Sequence, residues 1–164
     1  MVPCTKLLAR PVDLERRVSD PIFTGTTMAQ SKRPDTEQLM NDYFAVRAGD
    51  RSKLDVLSAS FTFHTPTEEI HGPEGLISLQ EEMDAAFPDG DLTVDEMVVG
   101  DDVAFWEWTL SGTHEGPWQD IPATGNRIEI HGLSKTVIDD GKIQENWAYF
   151  DTASLNAQLE GMDD

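Results

Sequence analysis

Residues 103–151 read VAFWEWTLSGTHEGPWQDIPATGNRIEIHGLSKTVIDDGKIQENWAYFD, and their spacing decides the fold. From Val103 to His114 the chain alternates. Ala104, Trp106, Trp108, Leu110, Gly112 and His114 share one face of a strand; Val103, Phe105, Glu107, Thr109 and Ser111 share the other. Both faces carry large apolar groups, so coverage on both sides is expected for part of the length. Glu115 to Gly125 is a loop holding Pro117 and Pro122. A second strand runs from Arg127 to Ile138. Asp139-Asp140-Gly141-Lys142 turns it back as a hairpin into a third, Ile143 to Phe150. This stretch holds all four tryptophans and two of the four histidines.

Working outward, Thr152 to Glu160 reads as a terminal helical turn or two, with Leu155 and Leu159 packing back. Upstream, Leu92, Val94, Glu96 and Val98 give another alternating strand, and Gly100-Asp101-Asp102 turns it into Val103. Leu76, Ile77, Leu79, Met83 and Phe87 form the buried face of a helix that opens at Pro73 and ends at Pro88-Asp89-Gly90. Ala59 to Thr65 is a strand with Phe61 and Phe63 on one face, stopped by Pro66. Arg51 to Leu57 is a short helix. Before it, Asp35 or Thr36 caps a helix whose apolar stripe is Leu39, Met40, Tyr43, Phe44 and Val46.

The order is helix, helix, strand, helix, then four antiparallel strands. That predicts an α+β domain with helices on one face of a strongly curved, mostly antiparallel sheet. A sheet bent over helices on its concave side leaves one conical pocket.

The 164 residues carry a formal charge of −19, with a pI near 4.3. Such a surface repels phosphate backbones and anionic lipid, which argues against nucleic-acid and membrane partners. No apolar run approaches the roughly 20 residues of a membrane span. The acidic residues are scattered, as on a solvated surface suited to a high-salt cytoplasm. The single cysteine, Cys4, rules out an internal disulfide and a Cys-rich zinc site. Residues 1–27 differ from the rest: they hold four basic and three acidic residues, against eight and 28 beyond them. They are expected to be a disordered or loosely attached extension, without the apolar core of a signal peptide. The folded domain is expected over residues 28–164, with Met28 a natural start and Asp163-Asp164 a frayed tail.

Several pieces together resemble the SnoaL-like polyketide cyclases, or ester cyclases, of the NTF2-like superfamily. They are Trp108-Thr109, then Gly112-Thr113-His114-Glu115-Gly116, then Ile121-Pro122-Ala123-Thr124-Gly125 before the strand at Arg127. Asp140-Gly141-Lys142-Ile143 follows, continuing through Glu145, Trp147 and Asp151 to Gln158-Leu159. The resemblance covers about Asp35 to Leu159. It implies an α+β-barrel cone with a single pocket, ring closure by intramolecular aldol condensation, and no metal or organic cofactor. It also implies a general acid/base at the aspartate four residues after Trp147, which is Asp151. Family members add a histidine on the preceding strand. Here Ser134, Lys135 and Thr136 fill that region, and His131 lies earlier.

An aldol closure takes a proton from carbon beside a carbonyl and returns one to the new oxygen. One carboxyl can do both if burial raises its pKa. Asp151 shares a strand face by parity with Trp147 and Tyr149, an aromatic wall beside a carboxylate. It also stands where an aspartate caps a helix, and both readings are open. His114 can donate to a substrate carbonyl, orient Asp151, or simply bond to the loop backbone. His131 faces the pocket or a subunit interface, and His64 lies near the rim. The four histidines lack metal-ligand spacing. Trp108, Trp118, Trp147, Tyr149, Phe63 and His131 are the candidate substrate-binding residues, with Trp118 placed to cover a flat apolar ligand.

The expectation is a cofactor-independent cyclase acting on a small apolar carbonyl compound, with Asp151 as acid/base and His114 as its partner. The alternatives are a non-catalytic binding protein of the same fold, or an isomerase or epoxide hydrolase on the same scaffold. A homodimer is expected through an apolar outer face, built from Val103 and Phe105 or from Ile128 and Ile130.

Overall fold

The computed structural model describes residues 33–162. The 1–27 extension, Cys4, Met28 and the Asp163-Asp164 tail lie outside the described residues. The elements run α1 (Arg33–Arg47), a 3-10 helix (Arg51–Val56), β1 (Leu57–His64), β2 (Glu69–His71), α2 (Gly72–Ala86), β3 (Asp91–Val99), β4 (Val103–Thr113), β5 (Arg127–Asp139), β6 (Lys142–Phe150) and α3 (Thr152–Glu160).

The shared face expected from period-two alternation is present in β4, and β5 alternates in the same way. Ala104, Trp106, Trp108, Gly112 and His114 are buried on one face, and so are Ile128, Ile130, Ser134, Thr136 and Ile138. The two strands pair antiparallel over their full length. Trp106 stands opposite Ser134, Trp108 opposite Gly132, and Leu110 opposite Ile130. β6 continues these rows, with Ala148 opposite Ser134 and Phe150 opposite Gly132. The inner face of the sheet is therefore built in cross-strand rows, which form the floor of the interior.

The six strands lie in the order β2-β1-β6-β5-β4-β3. The sheet is curved but unclosed, with edges at β2 and β3, so the implied barrel is an open half-shell. Two features escaped the sequence. β2 is three residues long with Glu69 and His71 exposed, too short and polar to alternate visibly. β1 runs parallel to β6, pairing Phe63 with Asn146 across about half the length of the chain.

Helix α1 lays Met40, Tyr43, Phe44 and Val46 on the sheet, and the Phe44 ring meets Trp106 edge-on at 5.0 Å. α2 buries Leu76, Ile77 and Ala86, and Pro73 opens it. α3 is capped by Asp151 and ends at Gly161, whose φ of 69° is left-handed and suits glycine. The core falls into two clusters. The larger joins α1, β1 and the middle of the sheet; the smaller gathers Ala86, Phe87, Ile128 and Leu159, with Trp118, Ile121 and Leu155 against them.

Two expectations about the faces change. Ile128 and Ile130 point inward and are buried, so they cannot form an outer contact surface. The outer face is not covered by this chain either: Phe105, Leu133 and Tyr149 are 43%, 47% and 54% exposed there.

Candidate active site

A cavity of about 170 Å³ opens between the helices and the inner face of the sheet. Its floor is the cross-strand rows: Trp106, Trp108, Leu110, Ile128, Ile130, Ser134, Ala148 and Phe150. One helical stripe of α2, spaced three and four residues apart, supplies Leu79, Gln80, Met83, Asp84 and Phe87. Phe63 and Arg47 close one side, and Trp118 with Leu155 the other.

Position along the strands explains the lining. Trp108 lies over Gly132, where any Cβ would overlap its indole ring. Its Nε1 donates to Ser134 Oγ at 3.0 Å, and Trp106 Nε1 donates to Thr136 Oγ1 at 3.0 Å. Thr136 in turn donates to Asn146 Oδ1 at 2.8 Å. Both indoles are thus fixed by buried hydroxyls, as buried Trp N–H groups require. Trp118 hydrogen-bonds to Ile121 in both directions at 3.0 Å, which folds the loop into a small turn. Its ring stands 5.9 Å from Phe87.

Among the expected substrate-binding residues, Phe63, Trp108 and Trp118 line the cavity. Trp147, Tyr149 and His131 do not. Parity does put Trp147, Tyr149 and Asp151 on one face, but that face is the outer one; Asn146, Ala148 and Phe150 alternate inward. Trp147 stacks on His64, ring centres 3.7 Å apart, and Lys135 Nζ lies over the Trp147 ring, 5.4 Å from its centre. His131 is exposed and meets Thr109 Oγ1 at 2.9 Å.

Asp151 is exposed and does not line the cavity. Its Oδ1 accepts the Ser154 N–H at 3.0 Å, the ordinary work of an aspartate before a helix. The dry, ring-lined setting expected for it is absent because its strand face looks outward. His114 is fully buried, but it lies behind Phe87, ring centres 5.4 Å apart, and is not in the cavity wall. Its Nδ1 pairs with Thr124 Oγ1 at 3.0 Å, and its backbone bonds to Asn126 and Gly125. It fastens the loop base instead of meeting Asp151.

The polar groups the cavity does hold are Arg47, Gln80, Asp84, Glu68 and Ser134, with smaller hydroxyls and amides at the rim. Asp84 sits at the edge, and its carboxyl is pushed above the ordinary range, first by partial burial and then by the charge of Glu81. Tyr43, fully buried beneath Arg47, is likewise pushed up by burial. These residues carried a signal in the sequence. Arg47 falls at i+7 from Met40 and i+4 from Tyr43, and Asp84 at i+4 from Gln80 and i+8 from Leu76. They are charged residues in stripes that are otherwise mostly apolar. Among the described residues no cluster of three or more His, Cys, Asp or Glu could hold a metal.

A sequence profile of SnoaL-like polyketide cyclases matches residues 37–159. The chain belongs to that family. Solved structures agree. TsrD from Streptomyces laurentii is 31% identical, covers 77% of this chain and 96% of its own, and superposes with a TM-score of 0.67. IdmH from Streptomyces antibioticus, a proposed polyketide cyclase, is 26% identical over 76% of this chain and 98% of its own, with a TM-score of 0.63. A proposed SnoaL-like polyketide cyclase from Jannaschia sp. CCS1 shares 17% identity and the fold, with a TM-score of 0.72 over 82% of this chain and 97% of its own. No curated protein matches the chain in sequence.

Proposed function

We propose that this family member carries out cofactor-independent acid/base catalysis, an aldol-type ring closure within one small apolar carbonyl compound held in the cavity, and that Asp84 moves the proton. The carboxylate takes a proton from carbon next to a carbonyl. The enolate so formed attacks a second carbonyl carbon and makes the new carbon–carbon bond. The resulting alkoxide takes the proton back, so the step needs no oxidant and leaves no proton over.

One observation carries the reading: of the two carboxyls at the edge of an aromatic-lined hollow, Glu68 and Asp84, Asp84 has surroundings that strengthen it as a base. The walls, from Trp106, Trp108, Phe150 and Trp118, suit a flat apolar ligand. Family membership and the 26% identical IdmH, described as a proposed polyketide cyclase, are consistent with cyclase-type chemistry.

A binding protein on the same fold is the second reading. It is favoured by one fact: neither member of the expected Asp151–His114 pair meets the cavity. Turnover of aromatic and polyketide-like diketones separates the two. Asp84→Asn is expected to abolish turnover. Asp151→Asn is expected to keep it, because asparagine caps a helix as well as aspartate does. Turnover lost in Asp151→Asn and kept in Asp84→Asn would return the role to Asp151. Binding without turnover of any carbonyl compound would support the binding reading.

A further inference from the structure

The cavity is lined by one cation among the described residues, Arg47, in a chain of 31 acidic residues. Among the described residues no carboxylate comes within 4.0 Å of it. Arg51 and Arg127 behave differently, pairing with Glu81 and Asp89 on the surface. The Arg47 Nε is buried and makes no hydrogen bond. Its Nη1 reaches only the Tyr43 hydroxyl, at a long 3.4 Å, and its charge lies 5.1 Å from the centre of the Phe63 ring. Burial keeps that hydroxyl protonated, so it offers no counter-charge. Gln80 Nε2 donates to the Arg47 carbonyl, tying α1's last residue to the cavity side of α2. A guanidinium has five N–H donors, and one half-buried without a counter-ion is costly unless a ligand supplies the charge.

A second donor stands on the floor. Ser134 is 1% exposed and accepts from Trp108, while its own O–H has no acceptor among the described residues. Exposed Glu68 and Asp84 border the same cavity. Donors within and acids at the edge give the hollow a polarity.

We infer that the cavity takes an apolar ligand ending in a carboxylate, and that Arg47 is the residue that holds that carboxylate. The planar guanidinium matches a carboxylate in a two-point fork. A dianion such as a phosphate monoester is disfavoured by the two acids at the rim against a single arginine. With the carboxylate on Arg47, the ligand's remaining length extends along the tryptophans toward Asp84. The inference rests on the function proposed above in sharing its cavity, but not on turnover.

Calorimetric titration with 2-naphthoate and its uncharged methyl ester tests it at neutral pH. An apolar cavity of roughly 150 Å³ accommodates benzene, so probes of one or two rings are of suitable size. The wild-type protein is expected to bind the acid at least tenfold tighter than the ester. Arg47→Met is expected to bind the ester unchanged and to lose the preference. Arg47→Gln, which keeps hydrogen-bonding capacity without charge, serves where Arg47→Met does not fold. Equal binding of acid and ester by the wild type overturns the inference. So does a preference that survives loss of the charge, or failure of both probes to bind. Asp84→Asn turnover decides the catalytic reading independently, since the acid-to-ester ratio is read without any reaction.

Discussion

At the scale of single residues, what distinguishes Asp84 from the other carboxylates is where it falls on its helix. Asp84 is exposed at the rim, yet it falls on the stripe of α2 that also carries Leu79, Met83 and Phe87 toward the cavity. Partial burial and neighbouring Glu81 both disfavour its charge. A carboxyl whose folded pKa lies above its unfolded value favours the folded state relative to its ionised form only at low pH. The advantage is complete below the unfolded pKa, about 3.9, and is lost as pH rises through the folded value. Ionised Asp84 therefore weighs against folding at neutral pH. Asp84→Asn is expected to raise the melting temperature at pH 7, with the gain vanishing by about pH 3. A gain that grows on acidification would contradict this environment for the carboxyl.

At the scale of the elements, the cavity floor depends on rows that cross three strands. Gly132 is the thin point of one row, because Trp108 from β4 and Phe150 from β6 flank it. Gly132→Ala has no room beneath the indole, which must leave its rotamer and its bond to Ser134. The expected cost is about 1–3 kcal/mol in denaturant unfolding, together with weaker binding of aromatic ligands. Much of this layer was legible in the sequence. β4 alternates so regularly that its two faces could be listed, β5 could be placed as a strand but its Ile128 and Ile130 were assigned to a possible outer face, and both long helices showed their stripes. β6 shows where legibility stops. Period two fixes which residues share a face, not which face is inside. Trp147 and Tyr149 made the outer face look like the inner one, while small Ala148 and polar Asn146 took the interior. That inversion carried Asp151 outward with it. The parallel β1–β6 pairing escaped because local pattern holds no information on partners so far apart. Arg47 and Asp84 were readable only as charged exceptions in mostly apolar stripes, a signal easily taken for the solvent edge of a helix.

At the scale of the whole molecule, the outer sheet face and the net charge act against each other. Val98, Phe105, Lys135 and Trp147 stand in register across four strands, with Leu133 and Tyr149 in the adjoining row. Val98, Phe105, Leu133 and Tyr149 are exposed, an apolar surface of the kind that pairs with a second copy. A charge of −19 on each copy opposes that pairing at low ionic strength, and salt screens it. Light scattering is expected to show a homodimer whose share rises with salt, and Leu133→Glu is expected to keep the chain monomeric. A monomer at every salt concentration would contradict the assignment of that face. Among the described residues no helix is long and apolar enough to cross a membrane. The fold thus separates two uses of its aromatic residues, an inner set around the cavity and an outer set on the open face. The proposed chemistry uses the inner set and the carboxyl at its edge. Proton NMR in D2O, following exchange of the hydrogens next to the carbonyl of a bound ketone, reads the proposed proton transfer without requiring ring closure. Exchange is predicted in the wild-type protein and in Asp151→Asn, and its loss in Asp84→Asn; undiminished exchange in Asp84→Asn would contradict the role given to that carboxyl.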